Sequence, residues 1–261
     1  MQPDVWNKMP KDSVYGHGES LHMIVLFSDF GLEGPYTGQV QSRLLQLAPS
    51  VPIVNLFSDL SPYDVQAAAY LLPAYSAGFP SGTVFLCVVD PGVGGQRPGV
   101  FLKVDDYWYV GPNEGLFAIL ARRARSVECR ELPVAAGVSS SFHGRDVFAP
   151  VAAQLARDLP VDATDVSASC LEQPDWPDDV FRVVYIDRYG NAISGVRASR
   201  LDISQTLSVN GQSLKSAQTF SDVAVGEAFW YANSNGLVEL AVNRGRADQV
   251  LGLEVGTPLS L

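Results

Sequence analysis

The sequence has few of the residues that build disulfide frameworks or metal clusters. Its three cysteines, Cys87, Cys129 and Cys170, are far apart along the chain and form no Cys-x-x-Cys pair, so neither a disulfide scaffold nor a zinc site is indicated. Of the three histidines, His17 and His22 lie near the N-terminus, which leaves no histidine cluster for a metal. We therefore expect reduced thiols, no bound metal and a cytoplasmic location.

Positive charge and long apolar runs are scarce as well. The chain has 18 Lys and Arg against 28 Asp and Glu, a net charge of −10, which repels phosphate backbones and anionic lipid headgroups. The longest apolar stretch, residues 65–79, contains Pro73 and is too short to cross a bilayer. Residues 1–20 lack the pattern of a signal peptide. We expect no nucleic-acid partner, no membrane segment and a disordered extension over residues 1–20.

The N-terminal part of the sequence alternates strands and helices. Apolar runs typical of strands cover residues 23–27, 51–57, 83–89, 100–104 and 108–110. Apolar residues recur at helical spacing over residues 40–47, and a second helix is predicted to begin at Ser61, as its capping residue, and to end near Tyr75. This alternation predicts an α/β domain over residues 21–160, with a mainly parallel sheet covered by helices.

The pattern changes after residue 160. Residues 161–179 are acidic, contain prolines and show no apolar period, which is typical of a linker. Short alternating strands are then predicted at residues 180–186, 207–209, 227–232 and 237–242, with hairpin turns at Asn210-Gly211 and Asn235-Gly236. We expect residues 180–261 to form a smaller antiparallel β domain.

Two acidic residues stand at the carboxyl ends of predicted strands, Asp29 after the first and Asp90 after the third. Because ligands of open parallel sheets bind beyond these ends, both carboxylates should face one crevice. Asp90 also opens a glycine-rich segment that ends at Arg97. The simpler interpretation of Asp90 is a turn residue, since Asp-Pro-Gly is common in turns. His143 has a similar alternative, as a loop or helix-entry residue.

Three better-known motifs do not account for these residues. The glycines at residues 92–95 lack the Gly-Lys-Ser/Thr ending of a phosphate-binding P-loop and the Gly-x-Gly-x-x-Gly spacing of a dinucleotide fold. Asp29-Phe30-Gly31 matches one kinase element, but no His-Arg-Asp catalytic loop accompanies it. Nucleotide-binding and kinase functions are therefore not indicated.

Seven short motifs in a fixed order carry a family resemblance. They are Ser28-Asp29-Phe30-Gly31, Ser61-Pro62-Tyr63-Asp64-Val65, Val89-Asp90-Pro91-Gly92-Val93-Gly94 with Arg97, Gly111-Pro112-Asn113-Glu114-Gly115, Phe142-His143-Gly144-Arg145-Asp146, Ile186-Asp187-Arg188-Tyr189-Gly190-Asn191 and Asn233-Ser234-Asn235-Gly236. The sequence thereby resembles the S-adenosyl-L-methionine hydroxide adenosyltransferases, hydrolytic relatives of fluorinase and chlorinase, from about Met23 to the C-terminus. The resemblance implies an α/β N-terminal domain, a β-barrel-like C-terminal domain and a homotrimer with active sites between subunits.

The resemblance also implies roles for individual residues. Asp90, Arg97 and His143 match the residues that activate water for attack on the substrate, which would yield adenosine and L-methionine without a cofactor. Substrate binding is implied for Asp29, Tyr63, Asp187, Asn191, Phe220, Ser234, Asn235, Glu239 and Val242. Asn235 departs from the halogenating relatives, which carry Arg there to hold the methionine carboxylate.

Two alternatives to a hydrolase follow from the same resemblance. The first is a halogenase, but those relatives carry Tyr in place of Asp90 and lack His143. A carboxylate repels a halide, whereas it accepts a proton from water. The second is a module that binds adenosine or S-adenosylmethionine without turnover, which would not need Asp90, Arg97 and His143. The sequence favours the hydrolase and leaves open whether Asp90 or His143 takes the proton and which sulfonium epimer reacts.

Overall fold

The structure is a computed structural model that describes residues 22–133, 137 and 139–261. The extension predicted for residues 1–20 lies outside the described residues. A seven-stranded sheet in the order β2-β1-β3-β5-β4-β6-β7 consists of β1 (Ile24–Ser28), β2 (Ile53–Phe57), β3 (Val84–Val88), β4 (Gly99–Val104), β5 (Tyr107–Pro112), β6 (Val127–Glu131) and β7 (Thr164–Val166). The strands β2, β1, β3 and β5 pair in parallel. β4 and β7 run antiparallel to the other five strands. The predicted α/β class with a mostly parallel sheet is confirmed.

Helices cover both faces of this sheet. They are α1 (Tyr36–Leu47), α2 (Val65–Tyr75), α3 (Ala118–Arg123) and α4 (Ala149–Leu155). Helices α2 and α3 pack on the face of β1 that carries Phe27, while α1 and α4 pack on the opposite face. This two-sided burial explains why β1 and β3 are continuously apolar rather than alternating. Within the described ranges, no helix has the length and apolar character needed to cross a membrane.

The start predicted for α2 is wrong. The helix begins at Val65, and the carboxylate of Asp64, not the hydroxyl of Ser61, accepts the capping hydrogen bond from the Ala67 N–H at 2.8 Å. The reason is the backbone of Tyr63, which has a positive φ of 64°. That left-handed conformation cannot continue a right-handed helix. The predicted end at Tyr75 is confirmed.

The C-terminal part folds as predicted into antiparallel β-structure. One sheet, in the order β12-β13-β9-β8, contains β8 (Val180–Ile186), β9 (Ala192–Arg197), β12 (Ala228–Ala232) and β13 (Leu237–Val242), and β10 (Leu207–Val209) pairs with β11 (Gln212–Leu214) ahead of a short helix α5 (Ala247–Val250). Asn210 and Gly211 both have positive φ, as a tight hairpin turn requires. The sequence did not reveal β9, whose apolar pattern is interrupted by Gly195. A Cβ there would overlap the Val180 side chain.

The segment between the domains is more ordered than its composition indicates. β7 lies within it and pairs with β6 in the main sheet. At the end of α3, Arg122 donates hydrogen bonds to the carbonyl oxygens of Trp176 and Gln173 at 2.7 and 2.8 Å. The same segment brings the Cys170 sulfur to 3.9 Å from that of Cys129, although both are free thiols. Nothing in the sequence spacing indicated this contact.

Candidate active site

The two strand-end carboxylates meet as predicted. β1 and β3 are neighbours in the sheet, and their ends lie in register because Ser28 pairs with Val88. Asp29 directly follows Ser28, Asp90 comes two residues after Val88, and both line one cavity of about 500 Å³. Burial, with a smaller contribution from the negative charge of Asp90, raises the pKa of Asp29 above its ordinary value.

The glycine-rich segment after β3 folds back so that Arg97 meets Asp90. Two turns form, in which the Val93 N–H donates to the Asp90 carbonyl at 3.3 Å and the Gly95 N–H donates to the Gly92 carbonyl at 2.9 Å. Arg97 then donates from Nε to Asp90 Oδ1 at 2.7 Å and from Nη2 to Asp90 Oδ2. The side chains of Asp90 and Arg97 are only 6% and 8% exposed. The paired groups therefore act in a low-dielectric environment, where charge-assisted hydrogen bonds are strong.

His143 completes this group and lines the same cavity as Asp90. It precedes a single π-helical turn, Gly144–Phe148, that leads into α4, and such turns are frequent at functional sites. Its Nδ1 lies 3.1 Å from Nη2 of Arg97. Because a guanidinium only donates hydrogen bonds, Nδ1 must accept, which places the proton of a neutral imidazole on Nε2. Arg97 also lies over the Phe148 ring, with 5.2 Å from Cζ to the ring centroid.

Tyr63 lies at the rim of the same cavity, with 75% of its surface exposed. Its backbone N–H donates to Oδ2 of Asp29 at 3.1 Å. This hydrogen bond lowers the pKa of Asp29 and partly offsets the effect of burial. The N-terminal half of the predicted site is therefore assembled within one chain.

The remaining predicted site residues line a second, larger cavity of about 950 Å³ in the C-terminal part. These residues are Asp187, Asn191, Phe220, Ser234, Asn235, Glu239 and Val242. Aromatic side chains that the sequence analysis missed complete the lining, namely Phe57, Tyr75, Tyr185, Tyr189 and Tyr231. Tyr189 lies inside the Asp187–Asn191 motif and could have been found from it. The others come from distant parts of the chain, and nothing local in the sequence marks them.

Two carboxylates lie in this aromatic cavity. Glu239 is buried and accepts hydrogen bonds from the Tyr231 hydroxyl at 2.5 Å and from Nδ2 of Asn233 at 3.0 Å. Burial raises the pKa of Glu239, and nearby Asp187 raises it further. Asp187 accepts from the backbone N–H and from Nδ2 of Asn191, both at 2.9 Å. The cavity thus offers oriented acceptors beside aromatic faces, a combination suited to a cationic or nucleoside ligand.

Within one chain the two cavities are separate. Among the residues that the structure describes, none lines both. Asp29, Tyr63, Asp90 and His143 line the first cavity, and Arg97 contacts Asp90 and His143 from an adjoining one. The structure therefore brings together each half of the predicted site, but it does not bring the two halves to one another.

The fold and the site define an α/β protein with a further antiparallel β-structure, in which a carboxylate, a guanidinium and an imidazole are in mutual contact beside a cavity. The chain belongs to the S-adenosyl-L-methionine hydroxide adenosyltransferase family. The family's N-terminal domain matches residues 24–165, and its C-terminal domain matches residues 181–260.

Individual relatives agree with this membership. The chain is 38% identical to an (R)-S-adenosyl-L-methionine hydrolase of Thermus thermophilus, over 91% of this chain and 98% of the relative. It is 34% identical to the enzyme of that name from Salinispora tropica, over 89% of this chain and 94% of the relative. A crystal structure of an uncharacterized conserved protein from Thermotoga maritima superposes with a TM-score of 0.82 at 31% identity, over 91% and 99%. A fluorinase of Nocardia brasiliensis is more distant, at 22% identity over 90% and 94%.

Proposed function

We propose that this chain hydrolyses S-adenosyl-L-methionine to adenosine and L-methionine by attack of water on C5′ of the ribose. The observation that carries the proposal is the contact group formed by Asp90, Arg97 and His143 beside Asp29. A site that only bound a nucleoside would gain nothing from burying this group. The names of the relatives in Thermus thermophilus and Salinispora tropica support the same reaction.

The reaction needs a nucleophile more than it needs help for the leaving group. Methionine leaves the sulfonium as a neutral thioether, whereas water is a weak nucleophile with a pKa of about 15.7 when it is not bound to a metal. As the C5′–O bond forms and the C5′–S bond breaks, the sulfur keeps the electron pair and the water must give up a proton. The protein therefore has to supply a base and a stabilised position for developing hydroxide.

Asp90 is the proton acceptor in this proposal. Because Nδ1 of His143 accepts from Arg97, a neutral imidazole carries its proton on Nε2 and can only donate to the water from that side. The carboxylate of Asp90 keeps free lone pairs beside its two hydrogen bonds from Arg97. Arg97 then stabilises negative charge on the water oxygen, and Asp90 returns the proton to solvent after turnover. No cofactor takes part.

The substrate is held by both cavities. Asp29 accepts hydrogen bonds from the ribose hydroxyls with the lone pairs left free by Tyr63, whose ring covers the nucleoside. In the second cavity, Phe220 packs on the adenine, and the backbone of Val242 forms hydrogen bonds with the edge of the adenine. The remaining polar residues there hold the amino-acid end or the base edge, and they are Asp187, Asn191, Ser234, Asn235 and Glu239. The relatives' printed names support the R epimer at the sulfonium as the substrate.

The active protein is a homotrimer in which the first cavity of one chain faces the second cavity of its neighbour. The separation of the two cavities within one chain supports this arrangement. Large apolar side chains exposed near the first cavity support it too, and they are Leu32, Tyr36, Tyr63 and Val93, since exposed apolar clusters mark contact surfaces. A cytoplasmic location remains a prediction.

A product assay tests the proposal. The protein is incubated with each sulfonium epimer, with and without chloride, and the products are separated by chromatography. We expect adenosine and methionine from the R epimer at a rate that does not depend on chloride. A 5′-halo-adenosine as the main product would support the halogenase instead, and adenosine binding without any turnover would support a binding module.

A further inference from the structure

An ion pair joins the C-terminal β-structure to the turn before α2, next to Tyr63 in the sequence. Arg182, on β8, donates from Nη1 to Oδ2 of Asp64 and from Nη2 to Oδ1, both at 2.9 Å. Nη2 also donates to Oε1 of Gln66 at 3.1 Å. Both members of the pair are largely buried. Parallel two-point contacts of this kind fix orientation as well as distance.

Asp64 has a second role at the same point. Its Oδ1 caps α2 by accepting from the Ala67 N–H at 2.8 Å. Its own N–H donates to the Ser61 carbonyl at 3.2 Å, and the Val65 N–H donates to the Tyr63 carbonyl at 3.1 Å. The carboxylate that pairs with Arg182 therefore also anchors the tight turn that precedes α2.

Tyr63 lies at the tip of this turn in an unfavourable conformation. Its φ of 64° lies in the left-handed region, which is disfavoured for a residue with a Cβ unless the surroundings impose it. In that conformation its N–H donates to Oδ2 of Asp29, at 3.1 Å. Without its anchor, the turn would relax and this hydrogen bond would be lost.

We infer that Arg182 is a positioning residue for the hydrolysis, which acts through Asp64 and Tyr63 to orient the Asp29 carboxylate toward the ribose. The inference rests on the proposed function, because it assigns a purpose to the ribose contact. It links the C-terminal domain to the first cavity through the chain's own turn. Arg182 itself does not touch the substrate.

The effect should be visible in substrate affinity and in its pH dependence. Asp29 shares its cavity with Asp90, His143, Tyr36 and Tyr63. Of these groups, Asp90 raises the pKa of Asp29 and the Tyr63 N–H lowers it. Loss of that N–H contact therefore raises the pKa of Asp29 further, so the ribose site loses its acceptor at a higher pH than in the wild type.

The experiment compares Arg182→Met with Arg122→Met as a matched control. Arg122 also ties separate parts of the chain together, through carbonyl oxygens of the segment before β8, but it does not contact the Asp64 turn. We expect Arg182→Met to raise KM by about tenfold, the factor for one charge-assisted hydrogen bond, while kcat changes much less. The fall of kcat/KM at low pH, its acid limb, should move to higher pH. Arg122→Met should leave KM and the limb unchanged.

Combining Arg182→Met with Tyr63→Gly distinguishes an effect through the Tyr63 turn from a general loss of stability. Glycine adopts positive φ without strain, so the turn no longer needs the anchor. We expect Arg182→Met to have little further effect on KM in the Tyr63→Gly background. If Arg182→Met does not fold, Asp64→Asn replaces it, because Asn caps helices as well as Asp but lacks the charge that Arg182 grips. It should also raise KM.

The adenosine dissociation constant, measured by calorimetry, keeps the two proposals distinguishable. A wild-type protein that makes no adenosine would contradict the hydrolase, while weaker adenosine binding by Arg182→Met would still support the positioning role. Unchanged KM, adenosine affinity and acid limb in a folded Arg182→Met protein would overturn that role. An equal rise in KM in Arg122→Met would overturn it as well.

Discussion

Arg97 donates hydrogen bonds to both carboxylate oxygens of Asp90 and at the same time contacts Nδ1 of His143 at 3.1 Å. One guanidinium thus fixes the orientation of a carboxylate and the tautomer of an imidazole. In the proposed mechanism Asp90 and His143 therefore have different tasks, since one can accept a proton from water and the other can donate a hydrogen bond to it.

The different tasks predict different tolerance to substitution. Asp90→Asn keeps the size of the side chain but removes the base, so kcat should fall by about 10²–10⁴-fold, with adenosine binding retained. His143→Gln keeps one acceptor for Arg97 and one donor for the water, so it should retain more activity than Asp90→Asn. Steady-state methionine release measures both. A His143→Gln protein as inactive as Asp90→Asn, with wild-type adenosine affinity, would argue that His143 is the base.

Removal of Arg97 should destabilise the fold as well as the reaction. Arg97→Met leaves the buried carboxylate of Asp90 without its partner, so the free energy of unfolding near pH 7 should drop by about 3 kcal/mol or more. Arg125→Met serves as a control, because Arg125 is 83% exposed and its contact with Asp105 is 3.7 Å long. It should cost at most about 1 kcal/mol. Urea unfolding measures both values, and equal losses would mean that the Asp90 pair contributes no more than a surface pair.

The raised pKa of Asp29 sets the expected acid limb of the reaction. In the proposed binding mode only the ionised carboxylate of Asp29 can accept from both ribose hydroxyls, so kcat/KM should fall as the pH drops through the pKa of Asp29. Because burial raises that pKa, the fall should begin above the ordinary Asp value of about 3.9. In Asp29→Asn, kcat/KM should be lower throughout and this limb should disappear. A limb that survives in Asp29→Asn would have to come from another group.

Mixing two variants with damaged cavities tests whether the active site is shared between chains. Asp90→Asn damages only the first cavity and Asp187→Asn only the second. If each site uses the first cavity of one chain and the second of its neighbour, mixed trimers regain some intact sites. Random exchange at equal amounts should restore about a quarter of the wild-type activity. No recovery in mixtures shown by mass spectrometry to have exchanged subunits would mean that each chain builds its own site.

Local patterns predicted the parts of the molecule that depend on local sequence. The apolar runs gave the buried strands β1 and β3, and from their ends followed the meeting of Asp29 and Asp90. The start of α2 was predicted wrongly, because a Ser-Pro pair is a common helix start, whereas here Tyr63 adopts a left-handed conformation and hydrogen-bonds the distant Asp29. Tertiary contacts of this kind override local preferences.

Contacts between distant segments could not be predicted. Tyr75, Tyr185 and Tyr231 meet around the second cavity from α2, β8 and β12, and no spacing in the sequence relates them. The approach of Cys129 and Cys170 has the same origin, since it depends on how the segment after β7 packs on the sheet. The family resemblance supplied the residues of the second cavity, which composition and periodicity did not indicate.

The source of the oxygen in the product tests water activation most directly. The protein is incubated with the R epimer of S-adenosylmethionine in water enriched in oxygen-18, and adenosine and methionine are analysed by mass spectrometry. Attack of an Asp90-activated water on C5′ predicts one heavy oxygen in the 5′-hydroxyl of adenosine and none in methionine, with or without chloride. Adenosine without the label, or a 5′-halo-adenosine in its place, would contradict the account.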